Sequence, residues 1–542
     1  MKKYLFIALA ALGFAACAEK AETNVPANNG EKEQSYVAVT FTADSVTRAE
    51  EGNYVVGTDE ERAVQSAYVF FFKENGDAFA VDNMNAHAGD VNYVDVLAQL
   101  SKKGEAMPNV SDVQNAVLVL KNYKGEYPAQ VVAVLNWTPT HPSYSLTDLK
   151  KEISDLGSDE KGYVMSNSVY LNNNTEIVDA VALTSDNIAK TEEKALESPI
   201  TIHVERIAAK VEFDAADYGY GKGVFKVGEI EKTDTEDDVM TTVFARIEGF
   251  ELYNDYEQSR LIKEVNPAWG LSDAVLGFNW NSVVNYRSFW ANSLESEFPA
   301  NKFAWNSDNT KLEEYVYCGE NTRKWSPADD VRTKVIVKAT LVEKVGDEFK
   351  PLEVVNWWGK DYVGEKQLLT VVANTLVNKY FASEDGKNFV GLMPEDLKCV
   401  AREPEAKNAY EVYFQLSDMM SNYGVNKTWY EYKNGSYELI KVDELNKELS
   451  YVQPARVYND GMTYYYTDIK HLGAEKSTAE YGVVRNHIYR VNITDIHGFG
   501  TPVYNGATDF VTPEKPVDID TFVAAQINIL SWRVVDNSTE LN

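Results

Sequence analysis

The chain of 542 residues is poor in the residue types on which catalytic and metal sites depend, with three cysteines and six histidines. Three cysteines are too few for a disulfide framework or for two pairs of zinc ligands. The histidines show no His-Glu-x-x-His or other ligand spacing, and there is neither a glycine-rich phosphate loop nor a Gly-x-Ser-x-Gly elbow. We therefore expect no catalytic residues, no metal and no cofactor, and we predict that the protein is not an enzyme.

Basic residues are also few, because 52 Lys and Arg stand against 83 Asp and Glu, which gives a formal net charge of −31. A surface of this sign repels phosphate backbones, so we expect no nucleic-acid partner. Apolar runs of the roughly 20 residues that a membrane-spanning helix needs are absent. The one extended apolar run, residues 4–14, is shorter than that.

The N-terminus has the pattern of a secretory signal. A basic start precedes the apolar run, and Ala15 and Ala16 follow it as the small residues of a cleavage site. The next residue is Cys17, whose thiol could take a lipid. Residues 1–17 are therefore predicted to be a lipoprotein signal, with Cys17 as the acylated residue after cleavage. The alternative is an ordinary signal peptide in which the cysteine is incidental.

A polar segment and then a strand follow the signal. Residues 18–34 carry almost no apolar side chains and cannot bury enough surface to offset chain entropy, so they are predicted to be a flexible tether. Residues 35–46 alternate in polarity, with Val37, Val39 and Phe41 on one face, which predicts a β-strand.

Two further features have both a functional and an ordinary interpretation. The polar loop after the first strand contains Arg48 followed by Ala49, which is a ready site for a trypsin-like protease but is also what an ordinary loop arginine looks like. Cys318 and Cys399 could form one disulfide in an oxidising compartment, although the sequence does not show that they meet.

The body of the chain is predicted to be mainly β. It contains 33 Tyr and 22 Phe, runs of period 2 recur between turn signals, and helical patterns are few. Such a sequence favours two β-sandwich domains with a few helical insertions. The strands predicted include residues 67–72, 130–135, 199–213, 334–342, 367–372 and 410–414, and the helices residues 145–156 and 443–449. A domain boundary is predicted between residues 213 and 224, where the strand pattern stops.

The C-terminal region ends in an apolar strand that needs a partner. Two prolines, Pro513 and Pro516, break the chain, and residues 521–535 are predicted to be one long strand with a bulge or twist near Leu530. A long apolar strand left bare invites association with another chain. It could pair with its own sheet or with a neighbouring molecule by donor-strand addition.

Seven segments, taken in order, resemble the type V pilins of Bacteroidales, in particular the fimbrillin that forms the shaft of the minor fimbriae. The segments are Leu12-Gly13-Phe14-Ala15-Ala16-Cys17, Thr47-Arg48-Ala49, residues 131–136, residues 204–211, Tyr317-Cys318-Gly319-Glu320-Asn321-Thr322, residues 484–491 and residues 527–535. The resemblance covers most of the chain, with residues 224–311 matching only loosely. None of the segments is decisive alone, but their order and spacing are specific.

The resemblance implies a mechanism of assembly. Subunits of this family reach the cell surface as outer-membrane lipoproteins, and an arginine-specific protease then removes the lipid, the tether and the first strand. In this chain the cut would fall between Arg48 and Ala49. Loss of residues 35–46 would open a hydrophobic groove for the C-terminal strand of another subunit. The donor side chains would be Ile527, Ile529, Leu530, Trp532 and Val534.

The resemblance also implies a division of the chain and a set of partners. The parts are the signal (1–17), the tether and removable first strand (18–48), a transthyretin-like N-terminal β-sandwich (49–215), a C-terminal β-sandwich (216–512), and a linker with the donor strand (513–542). The partners are other copies of the chain in a head-to-tail polymer, accessory tip and anchor pilins, the maturation protease, and the outer membrane through the lipid before processing. The final location is the fimbrium at the cell surface.

Two other functions remain open from the sequence. The chain could be a surface lipoprotein that stays anchored and binds a glycan or a protein through its aromatic side chains. It could also be an accessory subunit at the tip or base of the same pilus. A shaft subunit needs both the processing site and the outgoing strand, and this sequence has a candidate for each.

Overall fold

Short strands joined by turns make up most of the protein, as the period-2 pattern predicts. The structure is a computed structural model that describes residues 33–42, 57–81, 90–97, 114–122, 127–172, 176–232, 239–265, 291–296, 298, 315–323, 331–402, 410–418, 427–471, 480–507, 522–530 and 534–537. Among the helices of these ranges, none has the length and apolarity needed to cross a membrane.

The first part of the chain folds around one sheet. Its strands are β1 Glu33–Thr42, β2 Ala67–Phe72, β3 Tyr93–Asp95, β4 Gln114–Asn122, β5 Gln130–Leu135, β6 Ile153–Asp155, β7 Gly157–Ser158, β8 Gly162–Tyr163, β9 Met165–Asn167, β10 Tyr170–Asn172, β11 Glu176–Val178, β12 Val181–Ala182 and β13 Ile200–Arg206. Its α-helices are α1 Asp59–Arg62, α2 Leu146–Lys151 and α3 Glu192–Glu197, with a 3-10 helix at Ser185–Asn187. The sheet has eight strands in the order β3-β2-β5-β9-β13-β1-β4, and β12 pairs with β5.

The second part is a β-sandwich. Its strands are β14 Ala209–Ala215, β15 Val224–Lys232, β16 Val239–Tyr253, β18 Tyr315–Cys318, β19 Lys334–Val345 and β20 Glu348–Pro351, joined later in the chain by β30 to β34. Between β16 and β18, β17 Gln258–Arg260 pairs instead with β6 of the first part. One sheet has the order β18-β14-β31-β33-β34, and the other has the order β15-β16-β19-β30-β32. Side chains from both sheets, such as Val211 and Val491 from one and Ala245 and Val337 from the other, share one core.

A third group of elements lies between the strands of the sandwich. It contains β21 Val354–Trp357, β22 Lys360–Val363, α4 Gly364–Leu376, β23 Tyr380–Ser383, β24 Val390–Gly391, β25 Leu397–Ala401, β26 Glu411–Leu416, β27 Thr428–Lys433, β28 Ser436–Leu439, α5 Val442–Ser450 and β29 Ala455–Tyr458, with 3-10 helices at Pro394–Asp396 and Asn459–Gly461. The chain then returns to the sandwich with β30 Met462–Asp468, β31 Ile488–His497, β32 Thr501–Pro502, β33 Phe522–Leu530 and β34 Val534–Asn537. The buried faces of α4 and α5 pack in one core with Phe414 and Trp429.

The predicted mainly β fold is confirmed, and so are the strands at residues 67–72 and 130–135 and the helix at residues 443–449. The prediction of a strand at residues 367–372 is wrong, because this segment lies in α4. The prediction of a helix over residues 145–156 is too long. Ser145 caps α2 by accepting a hydrogen bond from the N–H of Asp148 (3.1 Å), but residues 153–155 form β6 and pair with β17.

The segment at residues 199–213, predicted as one strand, consists of two strands in different sheets. β13 belongs to the first sheet and β14 to the sandwich, and the fully buried Ile207 and Ala208 connect them. The two sheets are therefore joined by a connection of only two residues.

Candidate functional site

The first strand, β1, is an interior strand of its sheet. It runs parallel to β13, with Val39 opposite Ile200, and antiparallel to β4, with Val37 opposite Leu118. Both backbone edges of β1 are therefore occupied by neighbours, unlike those of a strand at the border of a sheet.

Removal of β1 would leave a groove. Val37 is 0% exposed and packs in a core with apolar side chains of β2, β5 and β13. The helix α3 lies against both β1 and β4. Without β1, the facing edges of β13 and β4 would lose their hydrogen-bond partners, and the pocket of Val37 would be empty. A groove with two bare edges and an apolar floor can accept another strand.

The C-terminal strand, β33, pairs with the sandwich of its own chain. It runs antiparallel to β31, with Ile488 opposite Leu530 and His497 opposite Phe522. Of the predicted donor residues, Ile527, Ile529 and Leu530 lie in β33, and Val534 lies in β34. Trp532 falls outside the described residues, as do Cys17, Arg48 and Ala49.

The prediction of a single strand with a bulge near Leu530 is wrong for this structure. β33 and β34 are antiparallel neighbours, with Leu530 opposite Val534, so the chain reverses between them. The irregularity in pairing lies instead in β31, between Ile493 and Asp495. The change of apolar phase in the sequence therefore marks a hairpin, because each arm of a hairpin has its own alternation.

The two terminal strands are connected through β13 and β14. β1 pairs with β13, β14 runs parallel to β31 with Val211 opposite Tyr489, and β31 pairs with β33. β14 also pairs with β18, with Ala209 opposite Cys318. Three of the segments that carry the family resemblance, residues 204–211, 317–322 and 484–491, therefore meet at this junction.

Buried ion pairs hold the junction together. Arg485 and Glu320 are 0% and 1% exposed in their side chains, and their Nη2 and Oε2 atoms are 3.1 Å apart. Arg485 also donates hydrogen bonds to the carbonyls of Arg260 (2.8 Å) and Leu261 (3.3 Å). A second pair, Lys263 and Glu205, is fully buried with 3.4 Å between Nζ and Oε1. Burial lowers the pKa of Lys263, and Glu205 opposes that effect.

We expect the substitution Arg485→Met to lower the free energy of unfolding by about 3–5 kcal/mol, because Glu320 would remain buried without its partner. Denaturant unfolding of the purified chain measures the change. Arg490→Met is the matched control, because Arg490 is half-exposed and pairs with Glu212 at 2.8 Å on the surface. That substitution should cost less than about 1 kcal/mol. Equal effects of the two substitutions would show that the buried pair does not stabilise the junction.

These junction residues were not among those predicted from the sequence. The local pattern gives little sign of them, because Glu205 is followed by Arg206 in β13, and Arg485 is followed by Asn486 and His487 before β31 begins. Charged residues like these are buried only where a partner neutralises them. The sequence could not identify the partners, which lie 58 and 165 positions away for Lys263 and Glu320, respectively.

Cys318 and Cys399 are free thiols in the structure, so the disulfide considered above is not formed. Cys318 is buried in the sandwich core, whereas Cys399 packs against the core of the third group of elements. Burial raises the pKa of both thiols, which disfavours the reactive thiolate. Within the described ranges, no group of three or more His, Cys, Asp or Glu side chains is placed to hold a metal ion.

Residues 456–538 match the family model described as "Major fimbrial subunit protein type IV, Fimbrillin, C-terminal". The matched segment contains β30 to β34, and thus both members of the β31–β33 pair. Residues 456–538 are therefore similar to the C-terminal region of fimbrillins. For this segment, the match confirms the resemblance to fimbrillins that the sequence predicts. No curated protein matches the chain.

Several solved structures are similar to the chain at low identity. A fimbrilin from Porphyromonas gingivalis W83 is 12% identical, with 92% of this chain and 98% of that chain covered and a TM-score of 0.36. A tip fimbrial protein from P. gingivalis with a C-terminal truncation is 11% identical, with 92% and 100% covered and a TM-score of 0.28. A fimbrial assembly protein from Parabacteroides distasonis ATCC 8503 is 11% identical, with 71% and 97% covered and a TM-score of 0.25.

Proposed function

We propose that the protein is a structural subunit of a type V pilus shaft that supports adhesion. In this scheme it is exported as a lipoprotein acylated on Cys17, cut between Arg48 and Ala49 by an arginine-specific protease, and joined to the next subunit by its C-terminal strand. The observation that carries the proposal is the interior position of β1, upstream of the predicted cleavage site. A cut after Arg48 would separate this strand from the rest of the sheet.

The exchange of strands is physically balanced. β1 has ten residues and β33 has nine, so an incoming C-terminal strand can replace the lost ladder bond for bond. In its own sheet, β33 pairs with β31 over nine residues and with β34 over four, and in the groove β1 pairs with β4 over nine residues and with β13 over four. The backbone pairing that the strand gives up in its own sheet is therefore matched in the groove. Transfer is then favoured by apolar side chains that fill the empty pocket of Val37.

The contact made in this way is head to tail. A subunit receives a strand beside β13 and sends one from the edge of β31, and these are different surfaces. A heterologous contact that does not close on itself produces a filament. The proposed partners are other copies of the chain, accessory tip and anchor pilins, and the maturation protease. The lipid on Cys17 would hold the precursor at the outer membrane until the cut.

A synthetic peptide of residues 518–538 should bind the chain that begins at Ala49 at least about 100-fold more tightly than it binds the uncut precursor. Two strand edges and the pocket of Val37 become available only after β1 leaves, and each hydrogen bond gained adds to the affinity. Isothermal titration calorimetry of both chains measures the difference.

The control peptide carries Ile527→Asp and Ile529→Asp, which place charges among the apolar donor positions, and it should not bind. Equal binding of the first peptide to cut and uncut chains would contradict the proposal.

A further inference from the structure

The segment after the predicted cut, residues 57–66, lies against the body and helps to form the groove. We call it the strap. Val64 in the strap is buried in the same core as Val37. The side chain of Asn136 holds the strap by donating to the carbonyl of Ala63 (2.8 Å) and accepting from the N–H of Gln65 (2.7 Å). The strap therefore provides part of the pocket that an incoming strand would fill.

Glu61 connects the strap to both sheets. Its carboxylate is within 3.0 Å of the Nζ of Lys210 in β14, and it accepts a short hydrogen bond from the hydroxyl of Tyr317 in β18. Its backbone carbonyl accepts a hydrogen bond from the Nε of Arg206, at the end of β13 (2.6 Å). The side chain of Glu61 is 1% exposed. The neighbouring Glu60 is exposed.

The two carboxylate oxygens of Glu61 have separate partners. Oε2 accepts from the N–H of Thr58 (2.9 Å) and closes the capping box of α1, so it acts within the strap. Oε1 faces Lys210 and Tyr317. Burial raises the pKa of Glu61, but the hydrogen bonds from Tyr317, Thr58 and Lys210 outweigh burial and bring the pKa below the ordinary carboxyl value. The side chain is therefore charged at neutral pH.

We propose that Glu61 is a positioning residue for strand exchange, which keeps the strap in the groove wall once β1 has left. The proposal rests on the function proposed above. In the uncut chain the strap is connected along the chain to β1 on one side and to β2 on the other. After a cut at Arg48 the connection to β1 is lost. The end of the strap near β2 is held by Asn136 and by hydrogen bonds from Gln65 to the carbonyl of Glu160 (2.7 Å) and from Ser66 to the carbonyl of Trp137 (3.3 Å). Glu61 holds the end nearer the new N-terminus, and without it the strap would open from that end more often and loosen Val64 in the pocket.

The test is Glu61→Gln, because glutamine preserves the capping box of α1 and removes the charge facing Lys210. Glu60→Gln is the control in the same helix. Hydrogen exchange of residues 57–66 is measured in the full precursor and in the chain that begins at Ala49. In the cut chain, Glu61→Gln should raise strap exchange by roughly tenfold or more, as the loss of a charge-assisted hydrogen bond implies. It should weaken binding of the 518–538 peptide by roughly the same factor. In the precursor the rise in strap exchange should be much smaller.

An ordinary structural role for Glu61 would raise exchange equally in the precursor and the cut chain, and that result would overturn the proposal. Unchanged strap exchange and unchanged peptide affinity in the cut chain would also overturn it. If Glu61→Gln does not fold, Tyr317→Phe replaces it, because this substitution removes one hydrogen bond to the same carboxylate. Strap exchange and peptide affinity of the Tyr317→Phe chain then test the proposal by the same criteria. If the peptide fails to bind even the unsubstituted cut chain, the proposed function is wrong, whereas strap exchange still tests the role of Glu61.

Discussion

Deletion of residues 521–542 is expected to abolish filaments and to leave a folded monomer. The deletion removes β33 and β34, which occupy one end of the β18-β14-β31-β33-β34 sheet. β31 keeps its parallel pairing with β14, from Lys210 opposite Ile488 to Ala215 opposite Ile493. The sandwich core contributed by β14, β16, β19 and β31 remains in place. The subunit should therefore fold but have no strand to donate.

Electron microscopy of the cut, truncated chain measures filament formation, and thermal unfolding measures the fold. The matched control deletes only residues 538–542, which follow β34, and this chain should form filaments normally. We expect the number of filaments to fall to none in the long deletion, because each junction requires one donated strand. Filaments of normal length from the long deletion would show that the C-terminal strand is not the donor.

Arg48→Ala is expected to block assembly just as completely, at an earlier step. An uncut chain keeps β1 between β13 and β4, so neither edge can pair with an incoming strand. The product should be a lipidated precursor that stays monomeric. Size-exclusion chromatography and intact mass of detergent-extracted protein measure this outcome.

Arg246→Ala provides the control for loss of an arginine. Arg246 lies in β16, outside the strap, and its guanidinium pairs with Glu248 at 2.8 Å, with about a third of each side chain exposed. A surface pair of this kind contributes less than about 1 kcal/mol, so the chain should be cut and should assemble. Normal filaments from the Arg48→Ala chain would remove proteolysis from the mechanism.

Much of the β-structure could be predicted from the sequence, because alternation of apolar residues reports directly on a half-buried strand. The hairpin turn at Asn434-Gly435 shows how local this information is. Both residues have positive φ angles, 50° and 85°, which asparagine and glycine tolerate better than other residues. This turn signal therefore predicts the two strands on either side of it, β27 and β28.

The strand predicted at residues 367–372 shows where the same reasoning fails. The run Leu368-Leu369-Thr370-Val371-Val372 is rich in β-branched residues, and its local preference is for a strand. Tertiary contacts favour the helix instead. Leu368, Val372 and Ala373 share the buried face of α4, and at its start the N–H of Val363 donates to the side chain of Gln367. The N–H of Glu365 donates to Glu353 at 2.6 Å, a contact that no local pattern reveals.

The candidate site also combines features that the sequence predicts with features that it does not. The positions of the two terminal strands along the chain could be predicted from the sequence, because each is a long apolar segment next to a polar or proline-rich one. Their neighbours could not, since β1 pairs with residues about 80 and 160 positions away, and strand pairing at such separations depends on the complete fold. Glu61 was missed because it ends the acidic run Asp59-Glu60-Glu61 in a short helix, which looks exposed in the sequence, and only the structure places Lys210 and Tyr317 beside it.

The central claim is that the assembled subunit has lost its first strand, and intact mass spectrometry of protein taken from isolated filaments tests it most directly. We predict a chain that begins at Ala49, with no lipid and no residues 18–48, in filaments visible by electron microscopy of the same sample. Filaments whose subunits retain acylated Cys17 and residues 18–48 would contradict the proposal. Surface protein that retains acylated Cys17 and yields no filaments would favour the alternative of an anchored surface lipoprotein that binds a glycan or a protein.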